Sequence, residues 1–76
     1  MPLHALDIGE RGTIERVSDA GAGRLERLLA LGITPGAVVT MLQRYPGVVF
    51  LCDQTELAVE RAVATAILVR PIEERS

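Results

Sequence analysis

Residues 24–36 read R-L-E-R-L-L-A-L-G-I-T-P-G, a helix, a stop, a turn and the start of a strand in one short stretch. Leu25, Leu28 and Leu29 fall at i, i+3 and i+4, the spacing of one apolar stripe on a 3.6-residue helix. Arg24, Glu26 and Arg27 lie largely off that stripe, toward water. Gly32 stands where the helix should end, because glycine reaches the left-handed conformation without a Cβ clash. With Gly32 just past the cap, Ile33 folds back onto Leu28, the apolar contact of a Schellman ending. Thr34-Pro35-Gly36 then reads as a turn, proline presetting φ and glycine allowing positive φ. A helix of about eight to ten residues is marginal alone in water, so its leucines must dock on the rest of the chain. Nothing in the stretch is catalytic, and Leu28, Gly32, Pro35 and Gly36 are read as structural.

Working outward, the flanking sequence is a series of short strands. Before the helix, residues 12–18 read as a strand. Ile14 and Val17 are three apart, so a shared inward direction needs a bulge or bend between them. Ahead of it, Leu3, Leu6 and Ile8 form a lead-in that covers an edge of the core. Residues 19–23 are a small polar loop. After the helix, residues 37–44 alternate, with Ala37, Val39 and Met41 on one face and Val38, Thr40 and Leu42 on the other. Tyr45-Pro46-Gly47 is a turn, 48–53 a third strand, 53–56 a tight connection and 57–59 a fourth strand. Residues 60–64 give one helical turn, and 66–70 the last strand, stopped by Pro71. Five short strands and one short helix after the first predict a mainly β fold, a small closed or half-closed barrel, with a split α+β sandwich as the alternative architecture.

A chain of 76 residues is read as a single domain, 1–76, with the barrel over about 3–70 and a charged tail at 71–76. A domain of this size buries only about 60% of its unfolded surface, which disfavours a deep catalytic cleft. The composition is 49% apolar, with Tyr45 and Phe50 as its aromatics, so Leu, Val, Ile and Ala must build the core. The formal charge of −2, from eight arginines against ten acidic residues, gives no pull on phosphate backbones. A single cysteine forms no internal disulfide and fits a reducing compartment. Met1-Pro2-Leu3-His4 lacks the pattern of a signal peptide, and every apolar run falls short of the about eighteen residues of a membrane span. The cytoplasm is the expected location.

The frame L3-x-x-L6, G9-x-x-G12-x-I14, R27-L28-x-x-L31-G32-I33-T34-P35-G36, Y45-P46, L57-A58-V59 and A66-I67-L68-V69 resembles the FeoA family, small cytosolic proteins of bacterial ferrous iron uptake. The R-L-x-x-L-G-I-T-P-G element is its most specific part, and the resemblance runs over about residues 3–69. It implies an SH3-like barrel and an accessory or regulatory role beside FeoB, a membrane permease with its own GTP-binding domain, at the inner face of the membrane. The same barrel recurs as the C-terminal domain of metal-dependent repressors of the diphtheria-toxin type. Two departures are visible: a short connection at Tyr45-Pro46-Gly47, and Glu60 ahead of Arg61 where many relatives carry a basic residue.

The chemistry-bearing residues are few. His4 lies in the N-terminal lead, expected to be mobile, and Cys52 in the third strand, a small half-buried hydrophobe. Neither is marked as an activated group, so no catalytic residue is assigned. His4, Asp7, Glu10, Cys52, Asp53 and Glu56 are the metal-ligand types, with His4, Cys52, Asp53 and Glu56 as weak candidates and no recognised spacing among them. No cofactor is expected within one chain. A divalent metal bridging two chains stays open, as does a homo-oligomer. No phosphate loop is present. The basic and aromatic face that nucleic acid requires is missing, and so is the aromatic groove that reads PxxP peptides. The expectation is a non-catalytic protein-binding module. A metal-responsive sensor or dimerisation module is the alternative, and an RNA-binding barrel a more distant one. Three surfaces are offered to a partner: Arg24, Glu26 and Arg27 on the helix; Val38, Leu42 and Val49 on the outer strand face; and the rim at Leu57, Ala58, Glu60 and Arg61.

Overall fold

The computed structural model describes residues 1–18 and 24–72, the side chains of Arg24 and Leu25 excepted. The loop expected at 19–23 and the tail at 73–76 lie outside the described residues. A 3-10 turn at Leu3–Ala5 is followed by β1 (Arg11–Val17), α1 (Arg24–Ala30), β2 (Val38–Gln43), β3 (Val48–Cys52), β4 (Thr55–Val59), α2 (Arg61–Thr65) and β5 (Ile67–Pro71). The strands form one antiparallel sheet in the order β4-β3-β2-β1-β5. The fold is mainly β, as the turn signals and short alternating runs predict.

Two register shifts bend the sheet. One falls between Ile14 and Arg16 in β1, where the spacing of Ile14 and Val17 calls for it. Ile14 is buried and Val17 packs on the core. The other falls between Met41 and Gln43 in β2, leaving Leu42 as the extra residue. Val39, Met41, Val48, Phe50, Ile67 and Val69 fill the concave face with Leu3, Leu6, Leu28 and Ile33.

Helix α1 ends as the sequence requires. Ile33 N–H donates to Leu28 O and Gly32 N–H to Leu29 O, each at 3.0 Å, the bond pair of a Schellman motif. Gly32 has φ +88°, and Leu28 and Ile33 meet in the core. The next residues make a type II turn: Ala37 N–H donates to Thr34 O at 3.1 Å, with Gly36 at φ +94°. Gly36 N–H then donates to Ile14 O, tying the corner to β1.

Three expectations need correction. Leu29 does not dock with Leu28; it is 43% exposed. Among the described side chains of this seven-residue helix, Leu28 is buried while Glu26, Arg27, Leu29 and Ala30 are exposed. Leu25 lies outside the described side chains. Ile8 is 68% exposed, because the chain turns at 8–9 on its way into β1. The N-terminal lead is fastened rather than mobile. Leu3 and Leu6 are fully buried, and Pro2 bridges Leu68 on β5. The Met1 amine donates to Val69 O at 3.1 Å, and Val69 N–H returns a bond to Met1 O at 2.7 Å. Boundaries elsewhere shift little, the largest change being that β4 begins at Thr55, which leaves Asp53-Gln54 as a two-residue loop. Asp53 takes φ +56° there, a conformation aspartate tolerates.

Candidate functional site

The hairpin of β3 and β4 decides which side chains of β4 face where. Its register pairs Val48 with Val59, Phe50 with Leu57 and Cys52 with Thr55. Since Val48 and Phe50 are buried, Leu57 and Val59 share the core face, and both pack on the core half-buried. Ala58 and Glu56 take the opposite face and are exposed. After Val59 the chain turns at Glu60 into α2, whose Ala64 is buried and whose Val63 packs on the core.

This arrangement brings the α1 surface to the β4–α2 rim. A groove of about 250 Å3 separates them. Arg27, Leu28 and Leu31 form one wall, and Ala58, Val59, Glu60 and Val63 the other. Leu28 is the floor, at 5% exposure, while Leu31, 48% exposed, forms the lip. Arg27 and Glu60 are both exposed, so the groove has an apolar base with one cation and one anion at its margins. Of the residues expected to meet a partner, Arg27, Ala58 and Glu60 converge here. Glu26 is exposed on α1 outside the groove lining, and the Arg24 side chain lies outside the described residues. Leu57 sits beside the groove but points to the core. Arg61 is exposed, and its Nη1 donates to Arg44 O at 2.8 Å, bracing α2 against the end of β2. Leu31 and Val63 were not singled out by sequence reasoning. Leu31 stands in the R-L-x-x-L-G-I-T-P-G element at i+3 from Leu28, and that spacing, just before a helix-stopping glycine, was the signal for it.

The outer face of β2 and β3 is less uniform. Val49 pairs with Gln43 on one side and Ala58 on the other, next to Leu42, which is 38% exposed at its bulge. Val38 lies further along β2, opposite Thr13. Val38, Val49 and the neighbouring Leu51 are half-buried.

The metal-ligand types do not gather. Among the described residues no three His, Cys, Asp or Glu side chains are grouped so as to hold an ion. Cys52 is buried, with Sγ 3.5 Å from Gly32 O. Burial, and secondarily the Asp53 carboxylate, push its thiol up from 9.0, so the thiolate that would ligate or attack is disfavoured. His4 is half-buried with Nδ1 enclosed and without a hydrogen-bond partner. Its carbonyl accepts from Arg44 Nε at 3.1 Å. Asp53 and Glu56 are exposed at the hairpin end.

The sequence matches the family model described as the FeoA domain over residues 1–71. No curated protein sequence matches the chain. The solution structure of the FeoA protein from Chlorobium tepidum is 25% identical with a TM-score of 0.88, covering 100% of this chain and 74% of that one. FeoA from Stenotrophomonas maltophilia, complexed with zinc and described as an SH3 domain protein, is 25% identical with a TM-score of 0.81, covering 92% of this chain and 89% of that one. A manganese-dependent transcriptional repressor is 26% identical with a TM-score of 0.85, covering 93% of this chain but 40% of the repressor. The five-stranded sheet described above is thus an SH3-like barrel.

Proposed function

Because the chain belongs to the FeoA domain family, we propose that it is a non-catalytic accessory of ferrous iron uptake, acting by binding the cytosolic part of a FeoB-type permease. Relatives of known structure carry that theme: one is described as an iron uptake regulatory protein, and the Stenotrophomonas protein as a candidate ferrous iron transport activating factor. The observation that carries the binding reading is the groove between α1 and β4, which gathers Leu28, Leu31 and Val63 with Arg27 and Glu60 from elements far apart in sequence. An apolar base with a charged margin is the usual anatomy of a small protein interface. No helix among the described residues is long and apolar enough to cross a membrane. Binding there would shift the permease's conformational populations or its assembly.

The test is capture from membranes of the source cell with the chain as bait. Retention of the iron permease by the wild type, and its loss with Arg27→Glu or Leu31→Glu, is the expected result. Absence of the permease, or equal capture by both variants, refutes the reading. The likeness to the repressor barrel and to a zinc-complexed FeoA supports a second reading, a metal-responsive dimerisation module. Stoichiometric submicromolar ferrous binding in equilibrium dialysis, coupled to dimer formation, would favour it.

A further inference from the structure

We propose that the open edge of β4 is a strand-addition site that takes an extended segment of a partner protein, with an apolar side chain between an acidic and a basic one. The proposal rests on the partner-binding reading above and specifies the chemistry of the partner.

The β3–β4 loop fixes the direction of each backbone group on β4. Cys52 and Thr55 close a two-residue loop, so they exchange both hydrogen bonds, and an antiparallel ladder then alternates. Thr55, Leu57 and Val59 therefore turn their N–H and C=O groups to β3. Those of Glu56 and Ala58 point away from it. β4 ends the sheet order, and among the described residues no backbone group bonds to that outer edge. Such an edge is a template for another strand.

The groove lies at the C-terminal end of this edge. Ala58 and Val59 line it from β4, Leu28 and Leu31 from α1. A strand added to β4 is thereby held by backbone bonds on one side, while alternate side chains turn into the groove. A volume of about 250 Å3 suits one or two side chains and falls below the about 300–1,000 Å3 of pockets for small ligands.

Charge selects the occupant. Arg27 and Glu60 line the same groove from opposite walls, and among the described residues the ion pairs join other groups, Arg44 with Asp7 and Arg70 with Glu15. A carboxylate on the segment meets Arg27 and a basic group meets Glu60. Reversing the segment sets like charge against like, so the pair fixes its direction.

The test starts with a random linear peptide library on phage, panned against the full chain. Selected peptides are expected to carry an acid and a base two residues to either side of an apolar anchor, so that all three side chains turn to the groove. A synthetic selected peptide should slow amide exchange at Glu56 and Ala58 at least about tenfold. Ala58→Pro removes a donor that faces away from β3, so the fold tolerates it, and it should weaken binding at least about tenfold. If that variant fails to fold, the exchange measurement on the wild type stands by itself. Selection of nothing, apolar anchors at three- and four-residue spacing, unchanged exchange at Glu56 and Ala58, or wild-type affinity in the folded Ala58→Pro variant overturns the proposal. Concentration-dependent protection of the same amides without peptide assigns the edge to a second copy, and overturns it too. Panning needs no permease. Failed permease capture alongside a validated peptide therefore sinks the functional reading alone.

Discussion

Replacing Gly32 by alanine isolates the cost of the helix stop. Gly32 holds φ at +88°, and a Cβ built there meets nothing within 4 Å. The penalty is therefore conformational rather than steric. An L-residue in the left-handed region costs about 1–2 kcal/mol. Alanine also stiffens the unfolded chain, which returns about 0.4–1 kcal/mol. The net loss is on the order of 1 kcal/mol, or a melting temperature lower by about 4–8 °C in a domain of this size. Gly32→Asn should cost less, since asparagine tolerates the region. D-alanine at position 32, accessible by chemical synthesis, keeps positive φ and also stiffens the unfolded chain, so it should stabilise by about 0.4–1 kcal/mol. Urea unfolding followed by far-UV circular dichroism, with m-values held equal, reads all three. An alanine variant as stable as the wild type refutes the reasoning. A D-alanine variant as unstable as the L-form also refutes it, because it would trace the loss to crowding.

Phe50 is the largest fully buried side chain among the described residues, and Phe50→Ala should cost about 3–5 kcal/mol; calorimetry showing a loss under about 2 kcal/mol would mean that the barrel collapses around the gap. Arg44 reaches the N-terminal lead through His4 O and Asp7, but its side chain is 46% exposed, so Arg44→Ala should lower global stability by less than about 1 kcal/mol while speeding amide exchange at Ala5 and Leu6. Unchanged exchange there would show that the lead is held by Leu3 and Leu6 alone. The Cys52 thiol is raised from 9.0 by burial, so the unfolded chain releases its proton first. Stability from this group is full below about pH 9 and falls as pH rises from there through the raised value. Cys52→Ala should flatten that alkaline decline in chemical unfolding series, and an identical slope in the variant would remove the assignment.

The local devices were legible in the sequence because each depends on a residue's own backbone freedom. Gly32 and the Pro35-Gly36 pair have few conformations open to them that fit a helix end and a tight corner. The bulge in β1 was legible for a related reason, since Ile14 and Val17 have the wrong spacing for one face of a regular strand. What failed was the direction of the helix. Periodicity groups Leu25, Leu28 and Leu29 but does not say which line of that stripe meets the barrel. Leu57 failed similarly as a surface residue: alternation over residues 55–59 fits either face, and the two-residue loop at Asp53-Gln54 sets the choice. The groove itself was illegible, because Leu31 and Val63 belong to different elements and meet only through the path of β2, β3 and β4 between them.

The two ends of the sheet are treated differently, and the difference bears on function. At β5 the chain supplies its own cover. Met1 and Pro2 run along the strand, while Leu3 and Leu6 anchor them in the core. At β4 the edge is five residues long, and exposed Glu56 precedes the apolar groove. A short strand with a charge discourages indiscriminate pairing between barrels, while the N–H and C=O of Ala58 remain next to Leu31 and Val63. The fold thus blocks one edge by a segment that costs it an ordered N-terminus, and limits the other to a length that only a short segment can match. A barrel with two aromatic residues lacks the stacked rings of a proline-reading groove. Backbone pairing beside a leucine-lined groove recognises an extended chain by other means, and requires no aromatic side chain.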